Sequence, residues 1–144
     1  MSNYQNVLAA IDLTAESQQV LDKAVAMAGD KNIHVIHVSQ PLAQLYGGEI
    51  GVNLTNIEAD LVKQGEQLLA ERVAQYDVAA NRRHLAIGKP ATEIRRYAEE
   101  ISADLIVIGT HSRHGFGLLL GSTANGVLHG ACCDVLAVRI NTQS

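Results

Sequence analysis

With 144 residues, a formal charge of −4 and 47% hydrophobic residues, the chain is expected to be one soluble domain, residues 1–144, with one sizeable core. No tract of Lys or Arg stands out, and one Phe, four Tyr and no Trp leave few rings for stacking, which argues against a nucleic-acid platform. The longest apolar runs (105–108 and 116–120) fall far short of the roughly 20 residues that a membrane span needs, and MSNYQNVLAAID lacks a basic stretch before a long apolar one, so neither membrane insertion nor a secretory signal is expected.

Residues 6–11 form a short apolar run ending at Asp12 and predict a buried strand. Thr14 is expected to cap a helix reaching Ala28, with Val20, Leu21, Ala24, Val25 and Ala28 on one face and Gly29 as the stop. Residues 33–39, rich in β-branched side chains, predict a second strand. Pro41, Gly47, Gly48 and Gly51 mark residues 40–52 as a long loop. Thr55-Asn56-Ile57-Glu58 matches a capping box opening a helix to about Tyr76, with Ile57, Leu61, Leu68, Leu69 and Val73 facing the core.

A third strand is expected at 82–87, polar at its start and therefore near an edge. Gly88-Lys89-Pro90 leads into a third helix with Ile94, Tyr97, Ala98 and Ile101 inward. Residues 104–108 are the most strand-like run, 109–120 a loop, 121–130 a short helix and 134–140 the last strand. Five strands alternating with four helices imply an α/β fold, a parallel sheet covered on both faces, because each parallel crossover must return over a face.

In such a sheet ligands bind beyond the C-terminal strand ends, where the strand order reverses. The strand ends with chemistry are Asp12 and Gly109. Gly109, Gly115, Gly117 and Gly121 permit close approach of a ligand to the main chain. Gly121-Ser122-Thr123 opens a helix whose free amides and hydroxyls suit a phosphate, and Arg113 adds a fixed positive charge. Asp12 can accept from a ribose hydroxyl or help hold a phosphate-bound metal ion. The other reading of the segment is a Gly-rich turn with an ordinary Ser/Thr helix cap. It is neither a Walker loop nor a dinucleotide fingerprint.

Six histidines raise the question of a metal. His111 and His114 lie on a loop without an obvious carboxylate or Cys partner, and His34 and His37 lie on opposite strand faces, so no metal site is assigned. Ser122 is not in a nucleophile elbow, and no general base stands out, so no catalytic residue is assigned and an enzyme is not expected. The adjacent Cys132 and Cys133 are expected to be reduced thiols near the start of a strand, which suits a reducing compartment.

Val7-Leu8-Ala9-Ala10-Ile11-Asp12, Val35-Ile36-His37-Val38, Asp104-Leu105-Ile106-Val107-Ile108-Gly109-Thr110-His111, Leu118-Leu119-Leu120-Gly121-Ser122-Thr123-Ala124 and Cys133-Asp134-Val135-Leu136-Ala137-Val138-Arg139 together resemble the universal stress protein family, in its order and over essentially the whole chain. The resemblance implies an open five-stranded parallel sheet in the order 3-2-1-4-5, of the adenine nucleotide alpha hydrolase-like kind. It also implies a cytoplasmic stress-response homodimer formed through the last strand, acting on a protein partner that the residues do not identify. One branch of the family binds ATP through Gly-x2-Gly-x9-Gly-Ser/Thr; the other has lost that motif and works by protein–protein interaction. Leu45-Tyr46 with Gly51-Val52-Asn53-Leu54 is similar to the non-binding branch, and Gly121-Ser122-Thr123-Ala124 to the binding one.

Carried over by position, the resemblance puts adenine and ribose contacts on Ala10, Asp12, Val38, Ile108 and Gly109. Phosphate contacts fall on Ser112, Gly121, Ser122 and Thr123, with Arg113 nearby, for ATP or AMP with or without magnesium. Two departures bear on phosphate geometry: Ser112 replaces the second glycine, and eight residues rather than nine separate it from Gly121.

Overall fold

The computed structural model describes residues 4–29, 32–39, 54–110 and 121–141. The expected loop at 40–52 lies outside them, as do residues 111–120 with Ser112 and Arg113. In chain order the elements are β1 (Val7–Ala10), α1 (Ser17–Ala28), β2 (Ile33–Ser39), α2 (Leu54–Val73), β3 (Arg83–Ile87), α3 (Pro90–Glu100), β4 (Leu105–Thr110), α4 (Ser122–Gly130) and β5 (Asp134–Arg139). The strands form one five-stranded sheet in the order β3-β2-β1-β4-β5, every pair parallel, as the family resemblance implies.

The central strand shows why an unbroken apolar run marks a parallel sheet. Side chains alternate across a strand, so both faces of β1 must be apolar when helices cover both. Val7 and Ala9 join Val20, Leu21, Ala24, Leu69 and Val73 under α1 and α2. Leu8 and Ala10 join Ile94, Tyr97, Ala98, Ala124 and Val127 under α3 and α4. β3 is an edge strand, as its polar start predicts, and β5 is the other.

Local signals are borne out in part. Gly29 stops α1 at a φ of +81°, with its N–H donating to the Val25 carbonyl at 2.6 Å. Thr14 does not cap α1. The helix begins at Ser17, and the Thr14 carbonyl accepts both the Ser17 N–H (3.1 Å) and its hydroxyl (2.5 Å), while the Thr14 side chain turns back to Asp12. α2 starts at Leu54, so Thr55 lies inside its first turn rather than ahead of it.

The expected inward face of α2 also needs correction. Leu69 and Val73 are buried, but Ile57, Leu61 and Leu68 remain 39%, 45% and 41% exposed. Adjacent positions such as 68 and 69 stand about 100° apart on a helix, so both cannot face one sheet. The inward stripe instead runs through Gly65, where a Cβ would come within 3.0 Å of Leu85, toward Leu69 and Val73. α3 follows its prediction: Ile94, Tyr97 and Ala98 are buried, and Ile101 packs against them.

α4 is held against α3 by an absent side chain. A Cβ on Gly126 would come within 2.7 Å of the Ala91 Cβ, which cannot swing away. Gly→Ala inside a helix ordinarily gains about 1 kcal/mol, whereas overpacking costs roughly 1–3 kcal/mol. Gly126→Ala is therefore expected to lower the melting temperature rather than raise it, as thermal denaturation followed by circular dichroism will show.

Tyr97 sits between two histidines: His84 stacks on it at 4.2 Å, and His34 meets it edge-on at 6.4 Å. The His34 Nδ1 is buried without a hydrogen-bond partner among the described residues. Burial, then the Arg82 guanidinium, holds the imidazole below its ordinary pKa of 6.5. The unfolded chain thus takes up this proton more readily than the folded one, and stability rises with pH where the two differ. The expected result is loss of stability as pH falls below about 6.5, with a smaller loss in His34→Gln; urea melts at pH 7.5 and 5.5 will measure it.

Candidate functional site

The last residue of β1, Ala10, is in register with Ile36 of β2 and Ile108 of β4, and those two strands run on to Ser39 and Thr110. Strand order reverses between β1 and β4, because the chain goes outward from β1 to β2 and β3 and then returns to β4 on the other side. Their connections leave in opposite directions, and a crevice opens between them. It holds a cavity of about 290 Å³.

Its apolar part comes from strand ends and α3, with Ala10, Ile36, Val38, Ile108 and Ile94. Its polar groups stand on helix starts and turns, with Asp12, Glu16 and Ser17 on one side and Thr123 of α4 on another. Six residues singled out in the sequence therefore line one cavity: Ala10, Asp12, Val38, Ile108, Gly109 and Thr123. Gly121 and Ser122 adjoin Thr123 but are not part of the wall. Ser112 and Arg113 lie outside the described residues.

The turn after β1 is held from several directions. Asp12 Oδ1 accepts the Thr14 N–H at 3.1 Å and the Thr14 hydroxyl at 2.7 Å. Oδ2 has no hydrogen-bond partner among the described residues. Leu13 has a φ of +67°, a conformation that costs a non-glycine residue of order 1 kcal/mol or more. The surrounding packing holds it: Arg72 on α2 donates from Nε to the Leu13 carbonyl at 2.9 Å, and the leucine side chain packs on the core. Preceding it, the Ile11 carbonyl oxygen lies 2.8 Å from His37 Nδ1. A carbonyl only accepts, so Nδ1 bears the hydrogen of this bond. His37 is therefore a satisfied, half-buried histidine that also lines the cavity.

Two glycines work differently from the sequence expectation. Gly109 has no positive φ; it makes room, since a Cβ there would meet Ile140 at 2.9 Å and Val20 at 3.3 Å. Gly121 is the N-cap of α4 with φ −62° and ψ 158°, extended backbone open to most residues. Ser122 is thus the first helical residue rather than a cap, and the first amides of α4 have no side-chain acceptor at the cap.

Sequence reasoning missed Glu16, Ser17, Pro90, Ile94 and Ile140 as cavity residues. Glu16, Ser17 and Pro90 could have been found from the rule that helix starts face the same end as the strand ends they follow. Ile140 had no local signal: it reaches the cavity from beyond the far edge strand.

The universal stress protein family profile matches residues 3–139. Universal stress protein A homolog 1 of Coxiella burnetii is 40% identical over 139 residues, covering 94% of this chain and 96% of that protein. Among solved structures, a protein of the same family from Burkholderia pseudomallei superposes with a TM-score of 0.69 at 25% identity, covering 94% of this chain and 96% of the other. A universal stress protein in complex with cAMP superposes with a TM-score of 0.61 at 24% identity, covering 96% and 98%. Sequence, strand order and fold agree: the chain belongs to the universal stress protein family.

Proposed function

We propose that this chain is a stress-response regulatory protein that binds an adenine nucleotide, ATP or AMP, at the C-terminal ends of β1, β2 and β4. The observation that carries the reading is the single cavity into which Ala10, Asp12, Val38, Ile108, Gly109 and Thr123 all converge. Its volume, about 290 Å³, is at the lower end of small-molecule pockets and fits a nucleoside rather than a whole triphosphate. Base and ribose fill it, with Asp12 accepting from ribose. The phosphates extend toward α4, whose first amides and Ser122 hydroxyl favour an anion. Asp12 would help hold a phosphate-bound magnesium ion, which would neutralise phosphate charge. A universal stress protein crystallised in complex with cAMP supports an adenine nucleotide as the ligand class.

The protein acts by occupancy and not by turnover, as a cytoplasmic homodimer whose nucleotide state alters contacts with a protein partner. The dimer forms through β5, a six-residue edge strand paired among the described residues only with β4.

Ser112 and the eight-residue spacing to Gly121 favour a second reading, a dimer that works by protein–protein interaction without nucleotide. The two separate in one experiment. Freshly purified protein is denatured, released nucleotide is identified by mass, and the stripped protein is titrated with ATP and AMP by calorimetry. Bound adenine nucleotide or a measurable titration supports the first reading; the absence of both would overturn it. ATP hydrolysis above buffer that disappears in Asp12→Ala would overturn the non-enzymatic assignment.

A further inference from the structure

A second cavity, of about 370 Å³, lies at the opposite end of the sheet, where α3 ends and β5 begins. Ala98, Ala103, Ile106 and Ala131 form its apolar wall, Arg95, Glu99 and Ser102 its polar one, and both cysteines line it. Consecutive residues of an extended strand point to opposite faces. Here the chain bends through Cys132 and Cys133 before β5 starts at Asp134, and the bend lets both reach one cavity.

The two thiols differ in surroundings. Cys132 is exposed and donates its S–H to Glu99 Oε1 at 3.1 Å. Cys133 is half-buried and packs on the apolar cluster beneath α3 and α4. The Glu99 hydrogen bond and charge raise the Cys132 pKa, and burial raises that of Cys133, followed by neighbouring acidic groups and Cys132 itself. Both are thus thiols at neutral pH, poorly reactive toward oxidants that need a thiolate. A disulfide between sequence neighbours is strained, so the pair resists closing on itself.

Two sulfurs on the wall of one cavity define a narrow ligand class. Zinc needs four ligands, and no set of three His, Cys, Asp or Glu side chains gathers among the described residues. A linear two-coordinate ion needs its sulfurs on opposite sides, which one peptide unit spans badly. A trivalent, pyramidal, thiophilic centre takes two sulfurs from the same side and leaves its third bond for a substituent. We propose that Cys132 and Cys133 form a chelating dithiol site for a trivalent arsenical, whose organic group or hydroxyl lies in the cavity against Ala98, Ala103 and Ile106.

The step is a condensation without oxidation. For an arsenoxide, R–As=O, two As–S bonds form, two S–H bonds and the As=O bond break, and the oxygen leaves as water with both thiol protons. Arsenic stays trivalent. The site shares no residue with the nucleotide cavity, so its test and the nucleotide test fail independently.

The test is intact-protein mass spectrometry after incubation with phenylarsine oxide. One adduct per chain is expected, retained in excess glutathione, which offers single thiols, and removed by dithiothreitol, which offers two. Cys132→Ser and Cys133→Ala are each expected to lose the glutathione-resistant adduct while keeping the wild-type far-UV circular dichroism. A wild-type adduct that glutathione strips, no adduct at all, or a resistant adduct in either single variant would overturn the proposal.

Discussion

Val38→Trp is expected to weaken ATP and AMP binding by roughly 100-fold or more while leaving the fold in place. Val38 stands near the C-terminal end of β2, half-buried, with its side chain in the cavity beside Ala10 and Ile108. It pairs with Ala86 of β3 and does not belong to the fully buried set, so a larger ring has somewhere to go. An indole there occupies the volume that the base would take out of about 290 Å³. Burying a base-sized aromatic surface contributes about 3 kcal/mol, which corresponds to roughly 100-fold in affinity. Calorimetric titration of the variant, with far-UV circular dichroism to confirm the fold, checks the result. Unchanged affinity would show that the nucleotide does not enter this cavity.

Leu8→Ala is expected to cause the largest loss of stability, about 3 kcal/mol or more. Leu8 is fully buried at the centre of the sheet, between Ile106 on β4 and the inward faces of α3 and α4. Truncation removes three carbons from a place where both neighbouring strands and a helix layer are fixed. Leu→Ala substitutions in such surroundings cost roughly 2–5 kcal/mol. At this chain length each kcal/mol moves the midpoint by about 3–4 °C, so the melting temperature should fall by about 10 °C. Thermal denaturation measures it. A drop of only a few degrees would mean that β1 is not the packed centre of both layers.

How much of this was legible in the sequence depended on the range of the cause. The strands at 33–39, 104–108 and 134–140 match β2, β4 and β5 to within one or two residues, since β-branched runs bounded by polar residues carry a local signal. Gly29 as a stop and Pro90 at the start of α3 were legible for the same reason. Helix starts were read less well. Thr14 looked like a cap because Ser and Thr often are, but its side chain found a nearer acceptor in Asp12, and the helix began three residues later. On α2, Leu68 and Leu69 are equally apolar in sequence, and only contact with β3 through Gly65 selected which of them faces inward.

The candidate site divides in the same way. That Asp12 and Gly109 end their strands, and that Thr123 opens a helix, follows from apolar periodicity and its interruptions, which are properties of neighbouring residues. Their convergence on one cavity does not. It requires β1 and β4 to lie side by side with Ala10 opposite Ile108, a contact between residues almost a hundred positions apart. The strained turn at Leu13 and its clasp by Arg72 belong to the same class, because the cost of a positive φ is met by a helix from elsewhere in the chain. By itself the sequence determined the alternating strands and helices, the family and the residue types available for a site. The tertiary structure alone decided which of those residues share a cavity, and it assigned Gly109 to making room for Ile140. Local propensity acts over a few residues, whereas a site is made where distant segments are packed together.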